Sequence, residues 1–310
     1  MSASAALKVA TRNSLLALWQ AEHVAALVRA AHPVVAVELL PLSTTGDRIV
    51  DRSLAAIGGK GLFIKELESA LNDHSADLAV HSMKDVPAEL PPGLAIAAVL
   101  PRADPHDALV TQRAQSFADL PKGARLGTSS LRRQAQLLAA RSDLRIEALR
   151  GNVDTRLKRL AGGELDAIVL ACAGLTRLGL EARITERLDL KISLPAVGQG
   201  VIGIECRFGD SRTRRLLHAL EDAPTRAAIE AERAFARRLG GSCQSPIAGF
   251  ARLHGDQLTL EGLVAEPDGS RVLRDRIAGN AAQPQRLGLE LAERLLAAGA
   301  AALLERLRRA

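Results

Sequence analysis

A polar and ionisable run, His81-Ser82-Met83-Lys84-Asp85-Val86-Pro87, directly follows the apolar stretch Leu78 to Val80. If that stretch is a parallel strand, side chains at its C-terminal end project into the crevice where α/β folds bind ligands. A carboxylate at Asp85 beside the Lys84 ammonium suits stabilising a cation or shuttling a proton. The same residues also fit an ordinary strand-end turn stopped by Pro87. A second cluster, Gly127-Thr128-Ser129-Ser130-Leu131-Arg132-Arg133, lies at a strand-to-helix junction. Hydroxyls and open backbone N–H groups at a helix start form an anion site, and two arginines one turn in add charge. A capped, solvated helix accounts for the hydroxyls but not for the arginines. Arg150-Gly151-Asn152 and Arg156 deliver two more guanidiniums to the same edge, so four converging arginines suit a ligand bearing several carboxylates or phosphates.

Two glycine-rich segments flank these clusters. Gly58-Gly59-Lys60-Gly61 lacks the spacing of a phosphate loop, and with the long connection from Thr44 it reads as a mobile lid carrying Lys60. Leu194-Pro195-Ala196-Val197-Gly198-Gln199-Gly200 reads as a hinge or cleft wall. Cys243 sits among small residues in Gly240-Gly241-Ser242-Cys243-Gln244-Ser245-Pro246. An accessible thiol there serves either as a nucleophile or as a covalent attachment point, with no His or Asp partner nearby in sequence. Cys172 and Cys206 lie in apolar patterns and read as core. With no CxxC pair and no zinc-like spacing, no metal is expected, and the three thiols indicate a reducing cytoplasm.

The elements that must position these residues follow from apolar patterning. Short apolar runs at Leu7–Thr11, Val34–Leu42, Leu78–Val80 and Leu94–Leu100 alternate with helical stretches near Leu15–Ala31 and Leu62–Asn72. A second alternating set runs from Ala108 to Ala171, after a proline-bearing linker at Pro101–His106, and Val201–Cys206 is strand-like, with a return to the first set as the expectation. Alternating strands and helices imply two α/β lobes with parallel sheets. From Pro224 the pattern changes to one helix, three strands with hairpin turns at Gly255 and Gly269, and one closing helix from Pro284 to Arg309. The expected domains are 1–100 with 200–218, 105–195, and a smaller α+β domain at 223–310 with a three-stranded antiparallel sheet.

Composition narrows the classes. The 310 residues carry 41 Lys plus Arg against 35 Asp plus Glu, and 47% are hydrophobic, which is globular usage. Residues 121–160 hold ten basic and three acidic residues, so that segment exceeds the whole chain's net +6. Of the 41 basic residues 34 are Arg, whose planar fork binds carboxylates bidentately. The longest apolar run, Leu295–Leu304, is too short to span a bilayer, and no signal core precedes Lys8. Five Phe, one Trp and no Tyr leave few platforms for stacking bases.

Together, KVATRNS, LALWQ, GGKGLFIKELE, HSMKDVP, GTSSLRRQ, RGNVDTRL, LPAVGQG and the Cys243 loop resemble the porphobilinogen deaminase (hydroxymethylbilane synthase) family, in consistent order from Lys8 to about Gly249. The resemblance implies two lobes like periplasmic binding proteins and a third domain carrying a cysteine. It implies that Cys243 holds a dipyrromethane cofactor through a thioether, an anchor that needs no catalytic base. It further implies that porphobilinogen loses ammonia to give a cation attacked by the terminal cofactor pyrrole, four times over, before water releases hydroxymethylbilane. By the same carry-over Asp85 is the essential carboxylate. Arg12, Ser14, Ser82, Lys84, Thr128, Ser129, Ser130, Arg132, Arg133, Arg150 and Arg156 bind cofactor or substrate carboxylates, with Gln20 and Gln199 lining the same cleft. A cytoplasmic monomer passing its product to a uroporphyrinogen-III synthase is expected. Two departures affect local loop shape only: Leu15 replaces a common proline, and the cysteine loop reads GSCQSP where GGCQVP is common. Two rival readings remain, a two-lobed anion-binding module without catalysis and a nucleic-acid binder using the basic segment.

Overall fold

In the computed structural model, the described residues are 6–48, 64–241 and 245–309. They form two compact units, one of residues 1–102 with 201–226 and the other of 103–200 with 227–310.

The first unit opens with β1 (Leu7–Arg12), α1 (Leu15–Ala31), β2 (Val37–Leu42), the short α2 (Thr45–Arg48), α3 (Lys65–Asn72), β3 (Leu78–Ser82) and β4 (Leu94–Val99). Helix α1 starts where the Ser14 hydroxyl accepts from the Ala17 N–H, replacing a bond the first turn lacks. Its Ala21, Val24 and Val28 recur at helical spacing and pack on Val9, Leu78 and Val80 of the sheet. Each fully buried valine or leucine of this kind contributes about 1.5–3 kcal/mol.

The second unit begins with β5 (Asp107–Thr111), β6 (Arg125–Gly127), α4 (Leu131–Ala140), β7 (Arg145–Glu147), α5 (Val153–Ala161), β8 (Ala167–Ala171), α6 (Cys172–Arg177) and the two-residue β9 (Glu186–Arg187). Its sheet order is β7-β6-β8-β5-β9. Ser130 caps α4 and Asn152 caps α5, each through its side chain.

The chain then returns to the first unit through β10 (Ile202–Arg207) and α7 (Ser211–His218), completing a sheet of order β2-β1-β3-β10-β4. Both five-stranded sheets are mixed, which corrects the expectation of parallel sheets. Strand β10 runs antiparallel to β3 and β4, and β5 runs antiparallel to β8 and β9. Only strands joined by a helical crossover are bound to lie parallel. Strands β5 and β10 are instead entered through non-helical segments, 100–106 and 194–201, the latter with a turn at 197–200.

Helix α8 (Ala223–Leu239) leads to an antiparallel meander of β11 (Ile247–His254), β12 (Gln257–Ala265) and β13 (Val272–Asn280). Phe235 is the largest side chain in its core, and a β-carbon on Gly262 would lie 2.5 Å from that ring. The expected single closing helix is broken: α9 (Pro284–Leu295) and α10 (Ala301–Arg309) flank a wide turn in which Gly299 adopts φ 107°. Only glycine takes that conformation without strain, and the alanine-rich flanks hid the break. The meander packs on the second α/β sheet's layer through Ala248, Phe250, Leu263 and Ala265 against Ala135 and Leu194. Thus α4, the helix bearing the arginine pair, is held from two sides.

Candidate functional site

In the first unit, β1 and β3 are parallel neighbours, so Arg12 and Ser14 share an edge with Ser82, Lys84 and Asp85. The buried Gln20 of α1 reaches that edge, its amide Nε2 2.9 Å from the Ser82 hydroxyl oxygen. After Ser82 the backbone turns through Met83–Asp85 as a short 3-10 turn. The Met83 N–H donates to the Val201 carbonyl at 3.0 Å and the Val86 N–H to the Met83 carbonyl at 3.2 Å. Met83 is buried, while Lys84 and Asp85 are half-buried at the strand end.

Beside this turn lies a buried set of ionisable residues, of which the sequence motif included only His81. His81 Nε2 is 2.8 Å from the Glu205 carboxylate, and both side chains are almost wholly enclosed. Glu68 of α3 lies close by: burial first, then the charge of Glu205, push its carboxyl above the ordinary range, while His81 and Lys65 draw it down. The signal was available in sequence, because Glu205 is a lone charge inside the apolar run Ile202–Cys206, and a buried charge requires partners.

In the second unit the two arginines of α4 meet on one carboxylate. Asp107, the first residue of β5, is fully enclosed. Arg132 donates from Nη1 to Asp107 Oδ2 at 2.8 Å and from Nη2 to Oδ1 at 3.2 Å. Arg133 donates to Oδ1 from Nε at 2.9 Å and from Nη2 at 2.6 Å. The Ser193 hydroxyl adds a bond to Oδ2 at 2.7 Å and the Gln199 amide one to Oδ1 at 3.0 Å. Burial alone would raise the Asp107 carboxyl, but the charges and hydrogen bonds of both arginines hold it far below the usual carboxylate range.

The guanidiniums are only partly engaged. Arg132 also donates to the Leu194 carbonyl at 2.6 Å and Arg133 to the Val169 carbonyl at 2.9 Å. Each arginine thus commits three of its five N–H groups within the protein and keeps two. With one carboxylate against two guanidiniums, the cluster retains one net positive charge at the start of α4, where the helix dipole adds to it.

Ser129 is exposed and its hydroxyl donates to the Leu149 carbonyl at 3.0 Å, joining the α4 start to the segment before Arg150. The Thr128 hydroxyl accepts from the Ser130 N–H at 3.2 Å. Arg150 and Arg156 are half-buried, and Arg156 Nε donates to the Gly151 carbonyl at 2.9 Å. The structure thereby brings Thr128, Ser129, Ser130, Arg132, Arg133 and Gln199 around one junction, with Arg150 and Arg156 on the adjoining loop and helix. Arg177, absent from the sequence reading, closes α6 and donates to the Gly200 carbonyl at 2.7 Å, next to Gln199. Burial pushes it down to about 10. It lies six residues beyond the end of β8 at Ala171, much as Arg132 lies five beyond the end of β6 at Gly127.

Helix α8 ends at Gly240, with φ 65°, and Gly241, whose N–H donates to the Ala236 carbonyl at 2.9 Å. Cys243 and Lys60 lie outside the described residues. Buried Glu232 of α8 accepts from the Gly198 N–H at 2.7 Å and the Ala251 N–H at 2.8 Å, tying the Gln199 loop to β11. Cys172 and Cys206 are buried as expected, their thiols pushed up by desolvation to about 12 and about 11. Among the described residues no cluster suits a metal ion, and no helix is long and apolar enough to cross a membrane.

Residues 7–215 match the family model "Porphobilinogen deaminase, dipyromethane cofactor binding domain", and residues 227–297 match "Porphobilinogen deaminase, C-terminal domain". A protein of Syntrophotalea carbinolica named porphobilinogen deaminase is 56% identical over 297 residues, covering 96% of this chain and 94% of that protein. Among solved structures, the methionine-binding protein MetQ aligns with a TM-score of 0.44 at 14% identity, over 69% of this chain and 89% of that one. The periplasmic VFT2 domain of BvgS from Bordetella pertussis aligns with a TM-score of 0.43 at 16% identity, over 69% and 86%.

Proposed function

The chain belongs to the porphobilinogen deaminase family, and from that membership we propose that it is a hydroxymethylbilane synthase, a transferase that condenses four porphobilinogen molecules with loss of ammonia. The observation that carries the reading is the arginine pair of α4. Two enclosed guanidiniums with unengaged N–H groups and one surplus positive charge suit a ligand that brings carboxylates to them. Porphobilinogen bears acetate and propionate groups, and a dipyrromethane of two such units bears twice as many.

The donor set fits that cofactor: Arg132 and Arg133 with Thr128, Ser129 and Ser130 at the α4 start, and Arg150 and Arg156 beside them. In this reading Cys243 is the attachment point. When bound, the cofactor supplies the primer on which the product chain is extended. Arg12, Ser14, Ser82, Lys84 and Gln20 orient ligand at the strand ends of the first unit, and Gln199 does so in the second. Asp85 accepts hydrogen bonds from pyrrole N–H groups and stabilises positive charge as porphobilinogen loses its amine. Lys60 belongs to a lid. The domains at 1–100 with 200–218, 105–195 and 223–310 divide these tasks, and the enzyme works as a cytoplasmic monomer whose product passes to a uroporphyrinogen-III synthase.

The basic segment supports a nucleic-acid role poorly. Arg132 and Arg133 are enclosed, and Arg125, Arg141 and Arg159 pair with Asp166, Asp143 and Glu164. The test is direct. Purified protein should consume porphobilinogen, release ammonia and form hydroxymethylbilane, and its intact mass should exceed the polypeptide by two pyrrole units located on Cys243. A bare polypeptide mass from a host that makes porphobilinogen, with no turnover, overturns the reading.

A further inference from the structure

Asp107 lies in none of the motifs that suggest the ligand site, yet its carboxylate holds three of the residues assigned there, Arg132, Arg133 and Gln199. It sits at the first position of β5, after the proline-bearing linker, with its side chain wholly enclosed. Four side chains from two segments converge on its two oxygens: Arg132 and Arg133 from α4, and Ser193 and Gln199 from the loop before β10. One enclosed carboxylate is here shared by two guanidiniums.

That sharing has a geometric effect. Adjacent guanidiniums repel, and on a helix first turn they would spread to separate rotamers in solvent. Asp107 draws both to one point and fixes each from one side, so their uncommitted N–H groups occupy set positions. Gln136 completes the frame from the next turn of α4. Its amide Nε2 donates to the Leu194 carbonyl at 3.1 Å, and its Oε1 accepts from the Leu194 N–H at 2.7 Å. The loop carrying Gln199 is therefore locked to the same helix that carries the arginines.

We propose that Asp107 is a positioning residue for ligand carboxylates, aiming Arg132 and Arg133 as one rigid set and leaving that set one positive charge. The proposal rests on the reading of Arg132 and Arg133 as carboxylate binders. Preorganised donors bind an anion without the cost of ordering long side chains, so the effect belongs in binding and cofactor loading more than in the chemical step.

The experiment compares purified wild-type holoenzyme with Asp107→Glu, Asp107→Asn and Ser193→Ala by intact mass, Tm, KM for porphobilinogen and kcat. Asp107→Glu keeps the charge and shifts it by one methylene. Its expected result is a lower fraction carrying the cofactor and a KM raised about ten-fold in the loaded fraction, with kcat changed far less. Ser193→Ala removes only one donor to Oδ2, keeps the fold, and should raise KM by about two- to three-fold. A variant set with lowered Tm but wild-type loading and KM assigns Asp107 a structural role and overturns the proposal. If the Asp107 variants do not fold, wild-type KM in Ser193→Ala overturns it alone. Failure of the wild-type protein to carry the cofactor or turn over porphobilinogen is a different outcome, which defeats the underlying site reading.

Discussion

A β-carbon on Gly203 would stand 2.1 Å from the Met83 sulfur, so the absence of a side chain on β10 is what lets Met83 sink beneath the turn that presents Lys84 and Asp85. Gly203 pairs directly with His81 across the β3–β10 ladder, so the contact also sits beside the His81–Glu205 pair. Gly203→Ala should lift Met83 and displace the turn, costing about 1–3 kcal/mol through overpacking. We expect a lowered Tm together with a lowered kcat. Met83→Ala in the same chain should restore part of the turnover by making room, and a double variant no more active than Gly203→Ala would break the link between this contact and Asp85.

Asp85→Asn keeps size and fold but removes the negative charge proposed to stabilise cationic intermediates. Intact mass should still show the cofactor, since attachment lies elsewhere, while kcat should fall by about 100-fold or more. Near wild-type turnover would show that the carboxylate is misassigned.

Arg132→Leu leaves Asp107 with one guanidinium and opens the shared centre. Removing one partner of a buried ionic cluster costs about 3–5 kcal/mol. The variant should show a lower Tm by calorimetry and a reduced or missing cofactor mass. Full loading with unchanged activity would contradict the arginine assignment.

Stability should depend on pH in two opposite senses. Asp107 is held below its unfolded value, despite burial, by Arg132 and Arg133. Its contribution is therefore complete above about pH 4, the value for a free aspartate, and is lost as pH falls towards the lowered folded value. Glu68 is raised by burial and by Glu205, so its contribution is complete below about pH 4.3 and is lost as pH rises through the raised folded value. Thermal unfolding across pH 3 to 8 checks both. Glu68→Gln should flatten the Tm profile on the neutral side, and an unchanged profile would remove Glu68 from this account.

Much of the first-order organisation is legible in the amino-acid order, because it rests on local physics. Helix α1 begins at Leu15 and ends at Ala31 as read from apolar spacing. Capping hydroxyls at Ser14 and Ser130 mark helix starts through bonds three residues long. The motifs around Asp85, Arg132 and Cys243 indicate the family for the same reason, since residue type and close spacing carry chemistry without reference to distant chain.

What tertiary structure alone decides is direction and partnership. The antiparallel entry of β10 and β5 depends on where non-helical linkers deliver the chain, and no local periodicity encodes that. The sequence shows four arginines near one another but cannot show that Asp107, 25 residues before Arg132, takes one side of two of them. Ser193 and Gln199 reach the same carboxylate from 86 and 92 residues away. Nor does it pair His81 with Glu205, a contact set by the register of two strands distant in the chain. Burial explains the division: a charge removed from water must find partners wherever the fold brings them, and those partners are fixed by packing rather than by proximity in sequence.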